Sequence, residues 1–335
     1  MINDMSRRGF IKTTAMASLG IGVLGTNPSF LDSQAKTLKG KRVGIIGLDT
    51  SHSIAFTKSL NAANADPRFK NYRVVAAYAQ GSKDIPSAVE RVPKYIEEIK
   101  TYGVELVNSI EDLLKKVDVI LLESNDGRVH LEQAIPVIKA KKPLFIDKPI
   151  AASYQDAKQI FDLAKQHQVP VFSSSSLRFV EKVKEVRGGS LGQVYGADTY
   201  SPASLEPTHP DFYWYGIHGI EMLFALMGTG CASVTRTHTP DADVVVGKWN
   251  DGRIGTFRGT RKGKSDFGGM VFAEKGNSTL GEFKGYDPLL VEIIDFYDSG
   301  KPPVSAAETL EICAFIEAAD ESKRQQGKTI ALIKA

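Results

Sequence analysis

Between residues 41 and 172, short apolar runs alternate strictly with helix-forming segments, and few architectures accommodate that pattern. Runs at 42–46, 72–79, 104–107, 118–122, 143–146 and 169–172 are continuously apolar rather than alternating. Strands of that kind are buried on both faces, which predicts a parallel sheet covered by helices on each side. The expected fold is α/β, with an N-terminal Rossmann-type doubly wound sheet over residues 40–150 and its sixth strand ending near 175. The stretch after the second strand, with Gly81, Pro86 and Pro93, is polar and carries no assigned element. After the four serines at 173–176 the pattern changes. A helix at 177–187, a strand at 193–200, a helix at 215–227, five strand-like segments between 233 and 283 and helices at 288–298 and 306–324 predict a second part over 176–330. That part is α+β with an open, mainly antiparallel sheet, and Asn250-Asp251-Gly252 marks one of its hairpins.

The first forty residues carry a different signal. Ser6-Arg7-Arg8-Gly9-Phe10-Ile11-Lys12 matches a twin-arginine export pattern, and the small-residue, mildly apolar stretch that follows holds no acid before Asp32. Residues 1–35 are therefore expected to be a signal peptide ending at Ala35, and the protein to be periplasmic. The stretch is too weakly apolar for a membrane anchor. A formal charge of +3, from 42 basic against 39 acidic residues, excludes nucleic acid as a partner. The two cysteines, Cys231 and Cys313, sit in separate apolar segments and read as buried free thiols.

The turn after the first strand, VGIIGLDTSHSIAF, has the outline of a dinucleotide-binding turn but only one of its glycines. Gly47 holds the first position, Asp49 stands at the second and His52 at the third. A carboxylate at the second position adds bulk and negative charge opposite phosphates. Two readings follow. Asp49 caps the helix while Thr50, Ser51 and the helix terminus donate to phosphate, or Asp49 and His52 face the crevice as working residues of a remodelled site. At the end of the second strand no acid awaits a ribose hydroxyl; Ser82 and Lys83 suit a 2′-phosphate, which favours NADP over NAD, or are plain turn residues.

The strand order, Asp147-Lys148-Pro149 after the fifth strand and the segment VDVILLESNDGRVHLEQAIPVIKAKKPLFIDKPI at 117–150 resemble the family of glucose-fructose oxidoreductase, inositol dehydrogenase and the rhizopine-catabolism oxidoreductases. Asp147 replaces that family's glutamate. The resemblance implies that Lys148 is catalytic, that Asn125 and His130 lie on the nicotinamide side, and that subunits associate into homo-oligomers through the open sheet. Lys148, at the carboxyl end of a strand, is placed to donate to a substrate hydroxyl, with Asp147 orienting it. Tyr213-Trp214-Tyr215-Gly216-Ile217-His218-Gly219-Ile220-Glu221 resembles the family's second landmark, which makes His218 the other catalytic residue. Glu221 lies one helical turn on. Trp214 stands where the family has aspartate and offers a stacking surface for a sugar ring.

Arg178, His209, Tyr213 and Tyr215 complete the expected substrate-binding set. His209 and His218 with Glu206 or Asp211 match no defined metal spacing, so no metal is expected. The resulting expectation is an exported oxidoreductase that moves hydride between tightly held NAD or NADP and a carbohydrate or polyol. A sugar lyase or hydrolase on the same fold, and a non-catalytic sugar-binding protein, remain open alternatives.

Overall fold

The structure is a computed structural model that describes residues 41–264 and 266–333. The export segment expected at residues 1–35 lies outside the described residues. The described residues form one compact unit.

The first part alternates β1 (Arg42–Ile46), α1 (Ser51–Asn61), β2 (Arg73–Tyr78), α2 (Pro86–Thr101), β3 (Glu105–Val107), α3 (Ile110–Lys116), β4 (Val119–Leu122), α4 (His130–Lys139), β5 (Leu144–Asp147), α5 (Tyr154–His167) and β6 (Val171–Ser174). The six strands pair in parallel in the order β3-β2-β1-β4-β5-β6. This is the dinucleotide-binding order, and it leaves a crevice at the carboxyl ends where the order reverses beside β1. Every residue of β4, β5 and β6 is buried, as the continuously apolar runs required. Helix starts follow their capping residues: Ser109 accepts the Asp112 N–H and Ser153 the Asp156 N–H, each at 3.1 Å.

Helix α2 occupies the polar stretch to which the sequence assigned no element. Pro86 falls in the first turn, where its missing N–H has no partner to lose, and Pro93 is carried inside the helix. The prolines misled because the flanking Glu, Lys and Arg residues are good helix formers.

The second part contains α6 (Glu181–Arg187), β7 (Val194–Pro202), α7 (Ile217–Met227), β8 (Cys231–His238), β9 (Ala242–Trp249), β10 (Ile254–Thr260), β11 (Gly268–Ala273), β12 (Gly276–Thr279), α8 (Asp287–Ser299), α9 (Ala306–Arg324) and β13 (Ile330–Ala331). Its sheet runs β12-β11-β7-β10-β9-β8-β13. Only the β7–β10 pair is parallel among the described residues. Cys231 and Cys313 are free and buried.

The two parts are not separable at residue 175. Leu289, Leu290, Ile293, Ile294, Phe296 and Tyr297 of α8 share a core with Val43 and Ile45 of β1 and Val74 of β2. Tyr297 also donates its hydroxyl to the Ile120 carbonyl at 2.6 Å. At roughly 2 kcal/mol for each buried side chain, that helix contributes on the order of 10 kcal/mol to the Rossmann half. Sequence order placed it with the wrong partner because an amphipathic stripe does not name the surface it covers.

Candidate functional site

The turn between β1 and α1 is set by Gly47, whose φ is 93° and whose Cβ, were there one, would lie 2.4 Å from the Ser124 backbone nitrogen. Only glycine lets β1 and the loop after β4 approach so closely. Thr50, not Asp49, caps α1, accepting the His52 N–H at 3.1 Å. Asp49 instead turns under the loops. Its carboxylate accepts the N–H of Asn125 at 2.9 Å and of Ser82 at 3.3 Å, tying together the segments after β1, β2 and β4. It is fully buried and outside the crevice, so neither expected role for Asp49 describes it. Burial pushes its carboxyl up to about 6, against the two amide bonds that favour the charge.

At the β2 end Ser82 is committed twice, by that N–H and by its hydroxyl, which donates to Asp126. Burial opposes the charge on Asp126, but His209, Arg128 and Ser82 overcome it and hold the carboxyl below its ordinary range. Arg128 continues the bridge to Asp84 at 2.8 Å, and His209 Nε2 lies 3.2 Å from Asp126 Oδ1. His209 therefore clamps the second part to the Rossmann loops rather than lining the crevice. Lys83 is exposed and also stands outside it.

Behind the crevice, the ends of β4 and β5 present Glu123 and Asp147, and His52 reaches both from α1. His52 Nδ1 is 2.9 Å from Asp147 Oδ2 and 4.0 Å from Glu123 Oε2. His130 is fully buried, with Nε2 2.7 Å from the Ser124 carbonyl and Nδ1 2.9 Å from the Pro149 carbonyl. It braces the two loops from beneath instead of touching a ligand. Lys148 projects into the crevice, its ammonium 5.9 Å from the centre of the Tyr215 ring. No carboxylate among the described residues lies within ion-pair distance of it.

From the other side, a π-type turn at Phe212–Gly216 leads into α7 and carries Trp214 and Tyr215 to the cavity wall beside His218. His218 Nδ1 is 2.7 Å from Ser175 Oγ, so this serine, not Glu221, fixes the ring. Burial, with Lys148 and His52 nearby, holds His218 well below the ordinary imidazole range and keeps it neutral. Glu221 instead accepts from Arg178 Nε at 2.8 Å, and Arg178 donates on to Glu308 at 2.5 Å. Both Arg178 and Glu221 are enclosed away from the cavity because each neutralises the other's buried charge. Tyr213 is likewise core, its hydroxyl directed at the Cys313 carbonyl.

The resulting cavity, of about 430 Å³, brings together Lys148, His218, Asp147 and Asn125 with an apolar wall of Trp214, Phe267, Phe283 and Tyr286. Its α1 end gathers Thr50, Ser51, Ser87 and Arg91, all donors, at a helix N-terminus. That end fits a phosphate, and the Asp49 charge that argued against one faces elsewhere. Sequence reasoning missed Arg91, hidden in the unexpected α2, and Ser175, read only as part of a boundary. Glu123 was passed over just past the end of an apolar strand.

Comparison with known proteins places these features. Residues 41–175 match the sequence model of the oxidoreductase family with an NAD-binding Rossmann fold. An uncharacterized oxidoreductase, YhhX, of Escherichia coli (strain K12) is 25% identical over 138 residues, 37% of this chain and 40% of that protein. An uncharacterized oxidoreductase of Streptococcus pneumoniae serotype 4 is 26% identical over 153 residues, 40% of this chain and 41% of its own length. The matched region thus spans about two fifths of these relatives. Among solved structures, scyllo-inositol dehydrogenase from Lactobacillus casei with bound NAD(H) and scyllo-inositol superposes with a TM-score of 0.69 at 16% identity, over 88% of this chain and 99% of that one. The myo-inositol 2-dehydrogenase from Lactobacillus plantarum gives 0.71 at 17% identity, over 88% and 100%. At these identities the two structures establish the shared fold.

Proposed function

We propose that this chain, whose residues 41–175 match the model of the oxidoreductase family with an NAD-binding Rossmann fold, oxidises or reduces a carbohydrate or polyol with NAD or NADP. The observation that carries the reading is that Lys148 and His218, from opposite halves of the chain, line one cavity. Nicotinamide, when bound, supplies or accepts the hydride. Thr50, Ser51 and Arg91 would hold the phosphates of the dinucleotide, and Asn125 lines the same cavity as Lys148. The Lys148 ammonium donates to the substrate oxygen and favours its ionised form. Neutral His218, its Nδ1 engaged by Ser175, leaves Nε2 to exchange the hydroxyl proton. Trp214 and Tyr215 offer faces to the CH groups of a sugar ring.

The same reading includes export by the twin-arginine route with the nucleotide already held, because that route carries folded proteins. It also includes self-association through the outer face of the second sheet, where Tyr195, Ile254 and Phe272 are exposed. The test is turnover: the purified protein, offered inositols and sugars with NAD⁺ or NADP⁺, reduces the nucleotide, and Lys148→Ala does not.

A second reading draws on Ser82, whose two donors are already spent where a ribose or 2′-phosphate would need them. It makes the protein a sugar lyase or hydrolase. Conversion of a sugar without any nicotinamide nucleotide would favour it.

A further inference from the structure

The side chain of Glu123 is wholly enclosed, and neither of its carboxylate oxygens has a hydrogen-bond partner among the described residues. Asp147 Oδ1 is unpartnered in the same way. Burying a carboxylate without a donor is strongly unfavourable. A proton on Glu123 would remove its charge but bring no donor to its second oxygen. A cation would satisfy all three oxygens at once.

The third group is His52. Its Nδ1 is 2.9 Å from Asp147 Oδ2 and 4.0 Å from Glu123 Oε2, and one ligand atom from each residue can be chosen so that all lie within 4.8 Å of one another. Ligands about 2.1 Å from a metal sit roughly 3–3.5 Å apart, so small side-chain adjustments close the set. We propose that His52, Glu123 and Asp147 bind a divalent first-row metal ion in the floor of the crevice. One imidazole and two carboxylates are a suitable donor set for Zn²⁺, Mn²⁺ or Co²⁺.

His52 and Asp147 line the cavity whereas Glu123 lies behind it. The remaining coordination positions therefore face the ligand space beside Lys148, as in catalytic rather than structural sites. They would take a water or a pair of sugar oxygens. The residue at the third glycine position of the dinucleotide turn acquires a purpose: an imidazole there reaches the ends of β4 and β5, which glycine leaves free. The site stands whether or not a nicotinamide nucleotide binds.

The experiment uses the full chain and no nicotinamide. Metal content of the purified protein is measured by mass spectrometry. Chelator-treated protein is then titrated with Zn²⁺, Mn²⁺ and Co²⁺ by calorimetry and thermal unfolding, with Co²⁺ absorption reporting coordination. The expected result is about one ion per chain, an unfolding midpoint that falls on chelation and recovers on refilling, and loss of both in Glu123→Gln and Asp147→Asn. Glu123→Gln copies the shape of the protonated acid, so it folds. No ion and no midpoint response to any of the three metals in the wild-type protein would overturn the proposal. So would affinities unchanged in both variants, because the ion would then lie elsewhere.

Discussion

The Asp49 carboxylate accepts the Asn125 N–H at 2.9 Å from a position where its fold usually has glycine. The bond turns an apparent obstacle to phosphate into a strap between loops. Because burial raises its carboxyl from 3.8 to about 6, the folded protein holds that proton more tightly than the unfolded chain. Stability is therefore fullest below pH 4 and declines as pH rises to about 6, by on the order of 3 kcal/mol from this group. Denaturant unfolding across that window should show the wild-type protein losing stability relative to Asp49→Asn as pH rises. Parallel profiles would contradict the assignment.

Lys148→Ala should lower kcat by about 10²–10⁴-fold on the true substrate. The lysine ammonium lies 5.9 Å from the centre of the Tyr215 ring and forms no ion pair among the described residues, so the melting temperature should barely change. A large fall in melting temperature would make Lys148 a structural residue instead.

Ser175→Ala frees the His218 ring while leaving the imidazole in place. We expect kcat to fall by about tenfold or more with KM less affected, because the loss is of orientation. His218, held below the ordinary imidazole range by burial, should stay neutral above pH 6.5. Its imidazole resonances in an NMR titration should begin to shift only in more acidic solution. An apparent pKa near 6.5 or higher would contradict this environment.

Arg178→Met leaves Glu221 and Glu308 without their shared cation. Removing one partner of a buried pair costs about 3–5 kcal/mol, which a chemical unfolding curve resolves. If stability held and KM rose instead, Arg178 would be a substrate ligand after all.

The Rossmann sheet was legible because six continuously apolar runs can be buried only between two helical layers. Asp147, Lys148 and His218 were singled out because their segments resemble the oxidoreductase family's landmarks, and all three line the cavity. What the sequence concealed was long-range. Nothing local indicates that Asp49 meets Asn125, 76 positions on, that Ser175 rather than Glu221 holds His218, or that α8 covers the first sheet. Arg178, Glu221 and Tyr213 drew attention as polar residues near landmarks, and burial among partners gives them structural work instead. Glu123 drew none, since an acid ending an apolar strand looks like its boundary.

The most direct measurement is nucleotide binding. The purified protein is denatured and the released NAD or NADP quantified, and protein freed of nucleotide is titrated with each by calorimetry, alongside Arg91→Ala. The account predicts saturable binding of at least one nucleotide, weakened by about tenfold in the variant, because Arg91 is the cation at the phosphate end of the cavity. Protein that carries no nucleotide and gives no heat with either would contradict it.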